Sequence, residues 1–241
     1  MAKHNIWMSV SDLMTGLMVI FLFIAIAYIQ LFTQNANDIT EFADARSRLH
    51  DKLINKFAAD TARWQMTIGT DLSVRFTNVD VLFPKGSFEL TPDFCEILDE
   101  FLPRYFEILL ADSLRNSISE VRIEGHTDPS AANLHGLDPY MFNLELSQKR
   151  ANSVLDYYRH SESFANLSNE DKKLLEFWFT ANGLSYGHTL NSEGELTLLS
   201  LDSEPDFDRS RRVEIRIITT SEEMIDEFVE KIQVTNQYQI R

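Results

Sequence analysis

The chain has 241 residues and a formal net charge of −15. That acid excess argues against a nucleic-acid-binding role, since little here would neutralise phosphates. The few basic residues are dispersed, which excludes a polybasic lipid patch, and the single cysteine, Cys95, permits no internal disulfide.

Leu13 to Phe32 is interrupted only by Thr15, Gly16, Tyr28 and Gln30. At ~1.5 Å per residue, about twenty helical residues cover a ~30 Å hydrocarbon core. Residues 10–33 are therefore expected to form a transmembrane helix behind a short tail, residues 1–9. A cleaved signal peptide is the alternative, because Ala25-Ile26-Ala27 resembles a small-x-small cleavage site. Against it stand the weak basic region of Lys3 and His4, the length of the apolar stretch and Asp12 at its start. Lys3 and His4 before the span, and Asp38, Glu41 and Asp44 after it, favour a cytoplasmic N-terminus and an outer C-terminal domain.

A carboxylate within a spanning helix costs ~3 kcal/mol or more, so such residues usually face a partner helix or a wet path. The plainer alternative is a boundary aspartate that reaches the headgroups and caps the helix. The surroundings weigh against it. Trp7 precedes as an interface anchor, Ser9, Ser11 and Thr15 add hydroxyls, and Gly16 permits close helix approach.

Residues 34–65 read as a charged helical linker or plug. Phe42, Leu49, Leu53 and Phe57 fall near helical spacing, as in a stalk or a helix pairing with a copy of itself. Leu72 to Phe76 and Val79 to Phe83 then read as strands, with Pro84-Lys85-Gly86-Ser87 as the turn. Thr91-Pro92 opens a helix carrying Phe94, Leu98, Phe101 and Leu102, in which Cys95 is expected to be a small buried hydrophobe. Val121 to Glu124 alternates as a strand and ends in Gly125-His126-Thr127-Asp128-Pro129. A helix is expected after Ser147, an apolar-rich stretch from Asp171 to Phe179 leading into Asn182-Gly183, and a last strand over Arg212 to Ile217. Ser221 looks like the cap of a terminal helix within residues 221–241. Strands alternating with helices predict an α+β architecture, a mixed sheet covered by helices on one face.

Three segments, Gly125 to Asp128, Asn143 to Val154 and Arg211 to Ile215, follow the pattern G-[HY]-T-D, N-x-x-L-S-x-x-R-A-x-x-V and R-R-V-E-I. In that order they resemble the OmpA-like peptidoglycan-binding domain, over roughly residues 70 to 218. The expected architecture is thus an OmpA-like α/β sandwich spanning residues 66–220. The resemblance implies binding of the free zwitterionic end of diaminopimelate in peptidoglycan. Asp128 would accept from its ammonium and Arg150 would hold its carboxylate beside helix N–H groups, with Asn143 and Thr127 shaping the pocket. A plain Asp128–Arg150 ion pair is the alternative. His126 has no second histidine or cysteine at ligand spacing, so it is expected to pack or position the loop, and no metal or other cofactor is expected. Arg211 and Arg212 are expected to make structural ion pairs. The Pro129–Asn143 linker and the Ser161–Asp208 region are longer than the family pattern.

The run from Trp7 through Asp12-Leu13-Met14-Thr15-Gly16-Leu17-Met18 resembles the signature of the B subunit of MotA/MotB-type stators. In that family two B subunits sit inside a ring of five A subunits. The resemblance implies an inner-membrane homodimer partnered by a MotA-like A subunit and by peptidoglycan. Asp12 would be the proton carrier, with Ser11 and Thr15 lining the ion path. The short tail, acidic outer domain and expanded "LLEFWFTANGLSYGHTLNS" region look more like the B subunit of the Zorya anti-phage defence system than a flagellar stator. A passive wall tether without ion flux is the competing class. An enzyme is least favoured, because no nucleophile–base pair, phosphate loop or metal cluster is recognisable.

Overall fold

An apolar helix opens the computed structural model, which describes residues 2–77, 79–84, 86–112, 114–129, 138–199 and 204–220. Side chains are described for these residues except 2–9, 31, 32, 34–45, 79 and 80. The helix, α1, spans Ala2–Phe57, and the chain divides within it into two units, Met1–Asp44 and Ala45–Arg241. In the first unit Val10–Gln30, with a mean hydropathy of 2.3, is long and apolar enough to cross a membrane.

The second unit begins with the last turns of α1. Leu49, Leu53 and Phe57, spaced for one helix face, are buried in this unit's own core. Strand β1 (Met66–Ile68) and strand β2 (Ser73–Phe76) follow. Val79–Leu82 is a helical turn, α2, rather than the expected strand. β2 is already flanked by β1 and by the last strand of the sheet, Arg212–Thr219, so a strand following it directly has no open edge beside it. Leu82 and Phe83 both enter the core, which breaks strand alternation. Helix α3 (Pro92–Leu109) starts as expected, with the Thr91 hydroxyl accepting from the Phe94 N–H at 3.1 Å and proline in the first turn. Cys95 on α3 is half-buried rather than buried.

Strand β3 (Ile118–His126) leads to helix α4 (Pro139–Arg159), the short helix α5 (Glu162–Ala165) and helix α6 (Asn169–Trp178). The chain returns as β4 (Phe179–Gly183), parallel to β3, because a parallel neighbour needs a long crossover. Asn182-Gly183 is the end of that strand. A last helical turn, α7 (Phe207–Ser210), precedes β5 (Arg212–Thr219), which pairs antiparallel with both β2 and β3. The mixed sheet has the order β1-β2-β5-β3-β4.

Alternation divides the sheet. Val74, Phe76, Val121, Ile123, Val213, Ile215 and Ile217 join the core with the apolar residues of α3 and α4. The intervening Arg75, Arg122, Glu124, Arg212 and Glu214 build an ionic ladder across the strands. The helix expected from Ser221 lies outside the described residues.

Candidate functional site

Two glycines let α4 lie directly on the strand ends. A Cβ on Gly125 would stand 2.1 Å from the Ser147 carbonyl oxygen, and one on Gly183 would stand 2.4 Å from the Gln148 nitrogen. Gln148 clamps the same place: its amide oxygen accepts from the Gly183 N–H at 2.8 Å and its amide nitrogen donates to the Ala181 carbonyl at 2.8 Å. This approach brings the polar face of α4 against the end of β3 and the Thr127-Asp128 segment.

Helix α4 begins nine residues before the expected start. Asp138 caps it, its carboxylate accepting from the Tyr140 N–H at 2.9 Å, and Pro139 sits in the first turn. An aspartate followed by proline is the stronger start signal, since proline lacks the N–H that a first turn leaves unpaired. Ser147 is therefore a buried mid-helix residue. Its hydroxyl donates to the Leu144 carbonyl and accepts from the Ser185 N–H at 3.1 Å. Arg150 lies well inside α4, away from the helix N–H groups expected beside it.

Ser185 joins the parts. Its carbonyl accepts from the Thr127 N–H at 2.9 Å and its hydroxyl donates to the Tyr140 carbonyl at 2.9 Å. It does so with φ 52°, a left-handed conformation uncommon for serine. Sequence reasoning missed this residue, because such a conformation leaves no mark on a serine's identity.

Asp128 is 3% exposed, and its Oδ2 accepts from Arg211 Nη1 at 2.7 Å. Arg150, 5% exposed, donates from Nε to the Ser87 carbonyl at 3.0 Å and lays its guanidinium 4.9 Å from the centre of the Phe83 ring. The Ser87 acceptor is set by the expected turn: the Ser87 N–H bonds the Pro84 carbonyl at 2.9 Å, and Gly86 supplies φ 73°. Asn143, fully buried, donates to the Pro139 carbonyl at 2.9 Å. The Asn143 Oδ1 and Thr127 Oγ1 atoms are buried without a hydrogen-bond partner. Two unsatisfied polar atoms on the motif residues suit a site made for polar ligand groups.

Arg211 and Arg212 divide their tasks. Arg212 is built into the sheet, donating to Glu214 at 3.0 Å and to the His188 carbonyl at 3.1 Å. Arg211 instead bridges Asp128 and Asp208. Burial opposes its charge, but the two carboxylates outweigh that and hold its pKa above the ordinary value.

The sheet also gathers Glu124, His126 and Glu214, whose ligand-type atoms lie within 4.8 Å of one another. Neighbouring arginines already engage the carboxylates: Arg212 and Arg75 approach one Glu214 oxygen at 3.0 and 3.3 Å, and Arg122 approaches Glu124 at 3.6 Å. A divalent cation would meet those guanidinium charges, so the arrangement works as a polar network. His126 is held well below its usual pKa, first by burial and then by Arg212.

In the first unit, Ser11, Asp12 and Thr15 are exposed on α1, and the Thr15 hydroxyl donates to the Ser11 carbonyl at 2.8 Å. Thr15 stands three residues from Asp12, on the adjoining face of the helix.

A Zorya protein ZorB from Escherichia coli strain ATCC 8739 is 36% identical over 231 residues, covering 93% of this chain and 92% of that protein. The chain belongs to the ZorB family. A second Zorya protein ZorB, from Escherichia coli O139:H28, is 24% identical over 221 residues, covering 90% of this chain and 81% of its own. No family model matches the chain. Among solved structures, a putative MotB-like protein from Desulfovibrio vulgaris is similar at a TM-score of 0.49 and 21% identity, covering 74% of this chain and 94% of its own. The cell wall anchor of the T6SS from Pseudomonas aeruginosa is similar at a TM-score of 0.42 and 24% identity, covering 69% and 96%.

Proposed function

We propose that this ZorB-family chain is the wall-anchored B subunit of a proton-driven Zorya motor in the bacterial inner membrane. Two copies stand within a ring of MotA-like A subunits, with the N-terminus cytoplasmic and the second unit outside. Asp12 carries the proton. One elementary charge crossing about 100 mV releases ~2.3 kcal/mol, enough to bias a ring step. The Thr15 hydroxyl, whose hydrogen goes to the Ser11 carbonyl, keeps lone pairs as an acceptor beside that path. Asp128, Arg150, Asn143 and Thr127 hold a diaminopimelate end of peptidoglycan, which keeps the span from turning with its partner.

The observation that carries the proposal is the presence, in one ZorB-family chain, of an apolar span with Asp12 near its start and a domain with the Thr127-Asp128 and Asn143–Arg150 site. The test is phage plating on cells carrying the intact system with single substitutions. Asp12→Asn is expected to abolish protection while the protein still reaches the membrane and binds sacculi. Asp128→Ala and Arg150→Ala are expected to abolish sacculus binding and protection together. Full protection by Asp12→Asn would leave a passive wall tether as the correct reading.

A further inference from the structure

Arg211 sits on the carboxylate that a wall ligand's ammonium would need. Its Nη1 lies 2.7 Å from Asp128 Oδ2, while its other terminal nitrogen contacts Asp208. The two carboxylates differ sharply in setting: the Asp128 side chain is 3% exposed and that of Asp208 is 89% exposed. A buried carboxylate is costly without a compensating cation, and Arg211 supplies one. Arg211 is itself 30% exposed and lies on the bend between α7 and β5. It can therefore leave Asp128 and keep a solvated partner. Arg212, buried and bonded to two carbonyls and Glu214, has no such freedom.

We propose that Arg211 is an exchangeable latch: it neutralises Asp128 when no ligand is bound and yields that oxygen to the ligand's ammonium, moving onto Asp208. This rests on the assignment of Asp128 and Arg150 to the wall site. The latch selects for a cationic group, because a ligand bringing its own positive charge replaces the one that Arg211 withdraws from Asp128. A peptide whose side-chain amine is acetylated does not displace it.

The experiment uses the full chain in detergent and a soluble muropeptide with a free diaminopimelate end, with titration calorimetry and thermal melting read together. Arg211→Gln is expected to lower the melting temperature without ligand yet tighten binding by about three- to tenfold, the weight of one partly exposed charged hydrogen bond. A residue that only supports the fold would lower both. Asp208→Asn, at an exposed position that spares the fold, is expected to weaken binding by a similar factor. Unchanged or weaker binding by a folded Arg211→Gln chain overturns the latch. So does unchanged affinity in Asp208→Asn, which decides the matter if Arg211→Gln does not fold. If the unaltered chain does not bind, or Asp128→Ala binds equally well, the wall-site assignment fails and the latch with it. Binding that Asp128→Ala abolishes, with Asp208→Asn unchanged, removes the latch alone.

Discussion

His126 is 1% exposed, and neither ring nitrogen has a hydrogen-bond partner. The Glu124 and Glu214 carboxylates lie 3.6 and 3.8 Å from Nε2. Burial first, then Arg212, with His188 and Arg75 adding to it, pushes the His126 pKa well below the ordinary 6.5 against the opposing pull of Glu214. The sign follows from linkage: as pH falls through about 6.5, the unfolded chain takes up a proton that the folded chain refuses, so stability is lost toward acid. The melting temperature is expected to fall between pH 7 and pH 5, and His126→Gln, which has no proton to gain there, is expected to flatten that slope. An equal slope in the variant would show that other groups set it. Residue types at this scale were readable in advance: Thr127, Asp128, Asn143 and Arg150 stand at one end of the sheet around α4. Their partners were not readable. The pairing of Arg211 with Asp128 joins residues 83 positions apart, and no local pattern encodes it.

At the scale of elements, α4 is placed by what the strands lack. The atoms that a Cβ on Gly183 would meet are backbone: Gln148 N at 2.4 Å and Leu144 O at 2.7 Å. Backbone cannot swing aside as a side chain can. Gly183→Ala is expected to destabilise the protein by about 3 kcal/mol and to weaken sacculus binding, because α4 carries Asn143 and Arg150. Chemical denaturation with a parallel sacculus pull-down checks both; a variant with unaltered stability would mean that α4 has room to shift. The motif residues marked α4 correctly, yet its start was misplaced at Ser147. A serine suits a cap and equally suits a buried bridge to Ser185, and only the packing partner distinguishes them. Likewise Val79 to Phe83 carries strand-forming residues, but the neighbouring sheet edge is occupied.

At the scale of the whole molecule, the division after Asp44 assigns the last turns of α1 to the second unit. Leu49, Leu53 and Phe57 lie in its core, and the Phe57 ring meets Trp64 and Phe101 at 6.2 and 4.9 Å. Burying such side chains is worth ~1.5–3 kcal/mol each, a sum comparable with the ~5–15 kcal/mol stability of a whole domain. A chain beginning at residue 45 is expected to fold and melt cooperatively. One beginning at residue 58 is expected to be unfolded or much less stable by circular dichroism. Equal melting of the two would remove α1 from the domain's cooperative unit. The apolar span, the acid at its start, the mixed α+β architecture and the motif residues are all legible along the chain, because each is written in local period, composition or a contiguous motif. That Leu49, Leu53 and Phe57 face their own domain and that β4 runs parallel to β3 emerges from the folded structure alone. It alone revealed that Ser185 ties the site together and that Arg211 rests on Asp128. Those outcomes depend on which distant surfaces meet, and burial and charge compensation are settled only when they do.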